Sequence, residues 1–220
     1  MSFSAEWESA FREGGHDSRW PWSDLVSMSK RYAKHLGPGC RVLEIGCGVG
    51  ANIPFLLTSG ASYYAVEGSK TAAHTARARF PELADHIHTG DFIADIPFDG
   101  TFDLIVDRAA MTHNSEAAIR RGIGQLSTKL KPGGLYIGID WFSTAHSGFS
   151  TGEPAEDQWT RQGFCSGPFA GVGQVHFSDE AHLRDLFTGW EWLALEEKVV
   201  HCVLPQAAIL ASWNCVLRTT

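Results

Sequence analysis

Basic side chains are scarce in this sequence: 18 Lys and Arg stand against 25 Asp and Glu, giving a formal charge of −7, and they form no cluster. Nucleic-acid binders gather cations on one face to replace phosphate counterions, so DNA and RNA are discounted as partners. Cysteine is sparse as well. Cys40, Cys47, Cys165, Cys202 and Cys215 are odd in number and contain no CxxC pair, which points away from a disulfide framework and from a zinc site. A reducing cytoplasm suits them, and no metal is expected. There is no basic leader followed by an apolar run, and no stretch is apolar for long enough to cross a bilayer. Neither export nor contact with a membrane is expected. Repeats and low-complexity linkers are also missing, and 220 residues fit one domain with a full core, monomeric or homodimeric.

What is present is an alternation of strand-like and helix-like segments, the signature of parallel strands joined by crossover helices. Strands are expected at 40–45, 62–66, 86–89, 102–107 and 135–140. Between them, a helix over 23–36 is stopped by Gly37-Pro38-Gly39, and Ser69 caps another that runs to about Arg79. Ser115 is placed to cap a third, whose Ile119, Ile123, Leu126 and Leu130 recur at helical spacing before the turn Lys131-Pro132-Gly133-Gly134. Residues 141–177 then lose all period. They are rich in Gly, Ser and aromatics, including Trp141, Phe142, Phe149, Trp159, Phe164 and Phe169, and read as a lid-like insertion. Ser178 is placed to cap a short helix, and 190–203 with 208–217 form an antiparallel pair around Pro205. Residues 1–36 are expected as a helical cap on a single domain of 1–220.

The strand Arg41-Val42-Leu43-Glu44-Ile45 runs into Gly46-Cys47-Gly48-Val49-Gly50-Ala51-Asn52. Glycines at alternate positions let the backbone turn sharply and approach a ligand. The second strand ends in Ala65-Val66-Glu67-Gly68-Ser69, which sets a carboxylate where it can take hydrogen bonds from both hydroxyls of a ribose. Together these features select an adenosine-type cofactor.

The phrase VLEIGCGVGANI resembles the first motif of the class I S-adenosylmethionine-dependent methyltransferases, and AVEGS, TGDF, FDLIVD and LKPGGLYIGID follow in that family's order. The resemblance implies a doubly wound α/β fold of Rossmann-like type: a mostly parallel seven-stranded sheet with an antiparallel C-terminal strand pair. It implies S-adenosylmethionine as cofactor, with Gly46, Gly48 and neighbouring backbone at the methionine part, Glu67 at the ribose, and Glu44, Cys47, Asn52, Gly68 and Ser69 among the other cofactor-binding residues. It further implies Asp91 and Phe92 at the adenine and Asp107 near the methionine ammonium. The opening Trp7-Glu8, Arg12-Glu13-Gly14-Gly15 and Pro21-Trp22 also resembles thiol and thiopurine methyltransferases. DRAAMTHN and GIDWF instead resemble bacterial methyltransferases, some acting on sugars or surface glycans.

Ligands of open α/β sheets sit beyond the carboxyl ends of the strands, so the methyl should face 107–114 and the segment that begins at Asp140. Transfer to oxygen or nitrogen of a small-molecule acceptor needs alignment and, for a hydroxyl, a base. His113 is the first choice, with Asp140 second and His146 and His176 flanking the insertion. Arg108 and Arg161 could pair with an anionic acceptor. His86 and His88 share a strand face but find no third ligand, so they read as structural. Two alternatives stand beside this reading: a nicotinamide-dependent oxidoreductase, which GxGxG and Glu44 disfavour, and a catalytically silent adenosyl-ligand-binding regulator.

Overall fold

The apolar runs of the sequence lie side by side in the computed structural model of the chain, which describes residues 5–219. The N-terminal half contains α1 (Ala5–Arg12), α2 (Ser23–Tyr32), β1 (Arg41–Ile45), α3 (Ile53–Leu57), β2 (Ser62–Glu67), α4 (Lys70–Arg79), β3 (Ile87–Thr89) and β4 (Phe102–Arg108). It continues with α5 (Glu116–Lys129), β5 (Leu130–Phe142), α6 (Ser147–Thr151), β6 (Glu153–Pro154), β7 (Thr160–Gln162) and β8 (Val175–His176). The chain closes with α7 (Glu180–Leu186), β9 (Glu191–Cys202) and β10 (Ala208–Arg218). The expected cap over 1–36 begins at residues 1–4, which lie outside the described residues, as does residue 220.

The main sheet has seven strands in the order β3-β2-β1-β4-β5-β10-β9. β1 to β5 pair in parallel, and β10 pairs antiparallel with both β5 and β9. Strands covered on both faces must be apolar on both faces. Leu43 and Ile45 of β1 accordingly join Ile119, Ile123 and Leu126 of α5 and Leu183 of α7 on one side. Val42 meets Leu25 and Met28 of α2 and Ile53 of α3 on the other. Each such fully buried side chain contributes about 1.5–3 kcal/mol. Among the described residues no helix is long and apolar enough to cross a membrane.

Several boundaries depart from the sequence reading. Helix α2 ends at Tyr32, and Leu36 is carried instead by a turn in which its N–H reaches the Ala33 carbonyl. The stretch 131–134 is no separate turn. It forms a bulge inside β5, whose register jumps so that Phe102 faces Leu130 while Leu104 faces Leu135. Asp179, not Ser178, caps α7 by accepting from the His182 N–H.

The insertion is also more ordered than its missing period suggests. Strands β6, β7 and β8 form a small sheet, and Phe169, Val172, Val175 and Phe177 bury a core of their own. Strands of two or three residues are too short to show a period, and long-range polar contacts hold them. Asp157 is central to these. Its carboxylate accepts from the N–H groups of Trp159 and Thr160 and from the Thr160 hydroxyl, and it reaches across to the Glu116 N–H at 2.9 Å. Ser115, in the capping position of α5, makes no capping hydrogen bond, so the insertion supplies that cap. Asp157→Ala is expected to cost about 2 kcal/mol, within the range for lost caps, and to lower Tm by roughly 4–8 °C. It should also make 141–177 the first segment cut by protease. A melting temperature and cleavage pattern equal to the parent would refute that anchoring role.

Candidate functional site

The chain leaves β1 toward one edge of the sheet and returns through β4 toward the other, so the carboxyl ends of these two strands form a topological switch point. A cavity of about 840 Å³ opens there. Its floor is the turn after β1. Gly46 has φ 67, and a Cβ added to it would lie 2.4 Å from Cβ of Ala110 in the turn after β4, so only glycine lets the two turns meet. Two non-glycine residues also adopt positive φ, Ala109 at 55 and Asp140 at 58. Ala109 directly follows β4 and Asp140 lies near the end of β5, both at the cavity, where local strain is commonly stored.

Two buried carboxylates line this cavity. Glu67, at the end of β2, accepts from the N–H of Gly48 at 2.7 Å and of Ser69 at 2.8 Å. Glu44 accepts from the Asn52 amide at 2.7 Å and the Tyr63 hydroxyl at 2.6 Å. A third, Asp107, is buried close by and takes hydrogen bonds from the N–H groups of Ala110 and Met111 and from the Tyr136 hydroxyl. None of the three enters an ion pair among the described residues. Burial therefore pushes Glu44 up to about 7 and Asp107 up to about 6, with charge repulsion from Glu67 and Asp107 adding to the rise at Glu44. Glu67 is raised by burial too, against the opposing pull of its backbone donors.

Of the residues assigned to the cofactor by resemblance, Glu44, Gly46, Cys47, Gly48, Asn52, Glu67, Gly68, Asp91 and Phe92 border the cavity. Ser69 and Asp107 do not. The Ser69 hydroxyl caps α4 by accepting from the Ala72 N–H and donates to Glu8 of α1, which also accepts from Thr71. Asp107 lies behind the Ala109–Ala110 turn, where it fixes that turn from below.

The other half of the cavity is aromatic. His113 presents a half-buried ring between Trp7, at 4.7 Å centroid distance, and Phe142, at 5.9 Å, while its Nδ1 faces the Gln174 carbonyl at 3.3 Å. Burial among these rings pushes its pKa down to about 4. Asp140 lines the cavity as well, but its carboxylate is engaged. It pairs with the Arg108 guanidinium at 3.0 Å and accepts from the Ser212 hydroxyl, and Arg108 lies over the Trp22 ring, 3.5 Å from its centroid. His146 borders the cavity, whereas His176 does not: it is buried between Thr160 and His182. Arg161 likewise lies elsewhere, packed on Phe149.

Among the cavity residues that escaped the sequence reading are Phe11 of α1, His16 of the loop after it and Lys198 of β9, which no motif ties to the glycine turn. Metal-ligating groups gather at Glu116, His182 and Asp185, yet the Arg120 guanidinium donates to both carboxylates.

Comparison with known proteins gives a consistent result. A family model of the methyltransferase domain matches residues 42–134. An uncharacterized methyltransferase of Synechocystis sp. is 29% identical over 106 residues, covering 48% of this chain and 49% of the relative. A protein-L-isoaspartate O-methyltransferase of Methylorubrum populi is 40% identical over 88 residues, 39% of this chain and 42% of that one. The chain thus spans about half the length of the curated relatives it matches. Among solved structures, an S-adenosylmethionine-dependent methyltransferase from Methanosarcina mazei superposes with a TM-score of 0.67 at 18% identity, covering 85% of this chain and 95% of that one. Residues 42–134 thus match a methyltransferase-domain model, and the seven-stranded sheet around them has the fold of S-adenosylmethionine-dependent methyltransferases of known structure.

Proposed function

We propose that this protein transfers the methyl group of S-adenosylmethionine to a small-molecule acceptor held in the aromatic half of the same cavity. The observation that supports this most is the pair of buried carboxylates on the cavity wall, Glu44 and Glu67, neither of which enters an ion pair among the described residues. A ligand with an ammonium, a sulfonium and a ribose diol fits that wall. The diphosphate of a nicotinamide dinucleotide would set like charges against it, which disfavours the oxidoreductase alternative.

In this reading Glu67 receives the ribose hydroxyls while its backbone bonds hold the glycine turn in place. Glu44, Gly46, Cys47, Gly48 and Asn52 border the amino-acid portion, and Gly68, Asp91 and Phe92 the adenosine. Ser69 and Asp107 are positioning residues, the first joining α1 to α4 and the second fixing the Ala109–Ala110 turn. The cofactor, when bound, supplies an electrophilic methyl carbon. His113 orients the acceptor and takes its proton. Asp140 holds Arg108 across Trp22 at the rim.

The test is an acceptor screen across phenols, heterocycles, small acids, thiols and sugar nucleotides, read by release of S-adenosylhomocysteine. Turnover with one class supports the proposal. Tight cofactor binding without turnover on any would favour the silent regulator instead.

A further inference from the structure

Two histidines on the cavity wall are locked by the backbone in opposite senses. Nδ1 of His113 faces the Gln174 carbonyl oxygen, which only accepts, so Nδ1 carries the proton and Nε2 keeps a lone pair. Nδ1 of His146 accepts from the Gly148 N–H at 2.9 Å, so in the neutral ring the proton lies on Nε2. Glycine is required for that approach. A Cβ at position 148 would lie 2.7 Å from the Phe169 ring and 3.1 Å from Nδ1 of His146. Neither Nε2 has a hydrogen-bond partner among the described residues, and both side chains border the cavity. One therefore offers an acceptor and the other a donor.

Between them the wall is made of rings. Phe142 lies 5.9 Å from His113 and 6.2 Å from His146, and Phe169 lies 4.7 Å from Phe142 and 4.8 Å from His146. Pro168 and Val172 extend the same apolar surface. A sugar set against it would leave several hydroxyls without partners, a loss that grows with each buried group. A flat ring gains edge and offset contacts there.

We propose that the methyl acceptor is a planar aromatic or heteroaromatic molecule whose reacting hydroxyl or amine donates to Nε2 of His113. A second polar group on it, a carbonyl or ring nitrogen, accepts from Nε2–H of His146. His146 is thus the specificity-determining residue of the acceptor site. The inference rests on the methyl-transfer reading above and narrows its acceptor to one chemical class. On attack, the acceptor oxygen or nitrogen forms the bond to the methyl carbon, the carbon–sulfur bond breaks with its electron pair staying on sulfur, and the proton of the acceptor passes to His113.

The probes are the three hydroxyacetophenones, which carry donor and acceptor together. Phenol lacks the carbonyl, acetophenone lacks the donor, and methyl glucoside stands for the sugars. Binding is measured by calorimetry on protein saturated with S-adenosylhomocysteine. At least one hydroxyacetophenone is expected to bind tenfold or more tightly than phenol and acetophenone, with methyl glucoside weakest. His146→Phe should bring that isomer to the level of phenol, so that its tenfold advantage is lost. Long-range proton–nitrogen NMR of the unaltered protein should show His113 protonated at Nδ1 and His146 at Nε2. The reverse tautomer at either ring, equal affinities across the aromatic series, or tightest binding of the glucoside would overturn the proposal. Failure of S-adenosylhomocysteine to bind would instead overturn the functional reading, and the proposal with it.

Discussion

His113→Ala is expected to lower kcat about a hundredfold while leaving the affinity for S-adenosylhomocysteine within twofold, because the ring faces the aromatic half of the cavity and not the glycine turn. The pH profile should be informative. A free histidine loses its proton near pH 6.5, and the sequence alone suggests a base close to neutrality. Burial between Trp7 and Phe142 instead holds the ring near 4, with the positive charge of Arg108 pushing the same way. A depressed histidine pKa keeps the lone pair available as pH falls, so the acidic limb of kcat/KM should appear near pH 4. So weak a base suffices because the acceptor becomes strongly acidic only as its bond to the methyl forms. Unchanged turnover in the variant would make His113 a loop residue and pass the role to His16, which borders the same cavity.

Glu67→Gln should weaken S-adenosylhomocysteine roughly thirty- to a hundredfold, or about 2–3 kcal/mol, the scale of charged hydrogen bonds to a ribose diol. Glutamine keeps one oxygen for the Gly48 or Ser69 N–H, so the fold should survive with a modestly lower Tm. Glu67→Ala is the harsher change. It leaves the Gly48 and Ser69 N–H groups without their partner, so folding and binding fall together. The sequence reading, which treats Glu67 purely as a ligand group, misses this second role. Calorimetry beside thermal melting separates the two, and parental affinity in Glu67→Gln would reassign the residue to structure.

The positions of β1 to β4 were legible because each is a short apolar run closed by turn residues, and covered strands need apolar faces on both sides, whereas the type of sheet came from the family resemblance. The glycine turn and Glu67 were legible for a local reason: both sit within a few residues of a strand end, where the chain has little freedom. Long-range placement was not. Nothing near Glu8 indicates that its carboxylate reaches Ser69 and Thr71, so the expected N-terminal cap could not be joined to α4, nor Trp7 and Phe11 placed at the cavity. Asp107 illustrates a second limit. Its position at the end of β4 follows from the sequence, but the direction of its side chain depends on Tyr136, 29 residues away in the chain. In the same way Asp157 displaces Ser115 as the partner of α5, a choice set by the insertion folding back.

A cationic cofactor bound against buried carboxylates that have no ion-pair partner among the described residues must perturb their protonation, and proton-linked calorimetry tests this directly. The unbound protein holds the Glu44 proton to about pH 7, so near neutrality that group is about half protonated. A nearby positive charge favours the ionised form, so binding must expel the remaining proton. Titrations of S-adenosylmethionine at pH 7, in buffers of different ionisation heat, should show net proton release, with less for S-adenosylhomocysteine, which lacks the sulfonium charge. NAD should not bind. Proton uptake on binding, or NAD binding as tightly as S-adenosylmethionine, would contradict the assignment of this cavity.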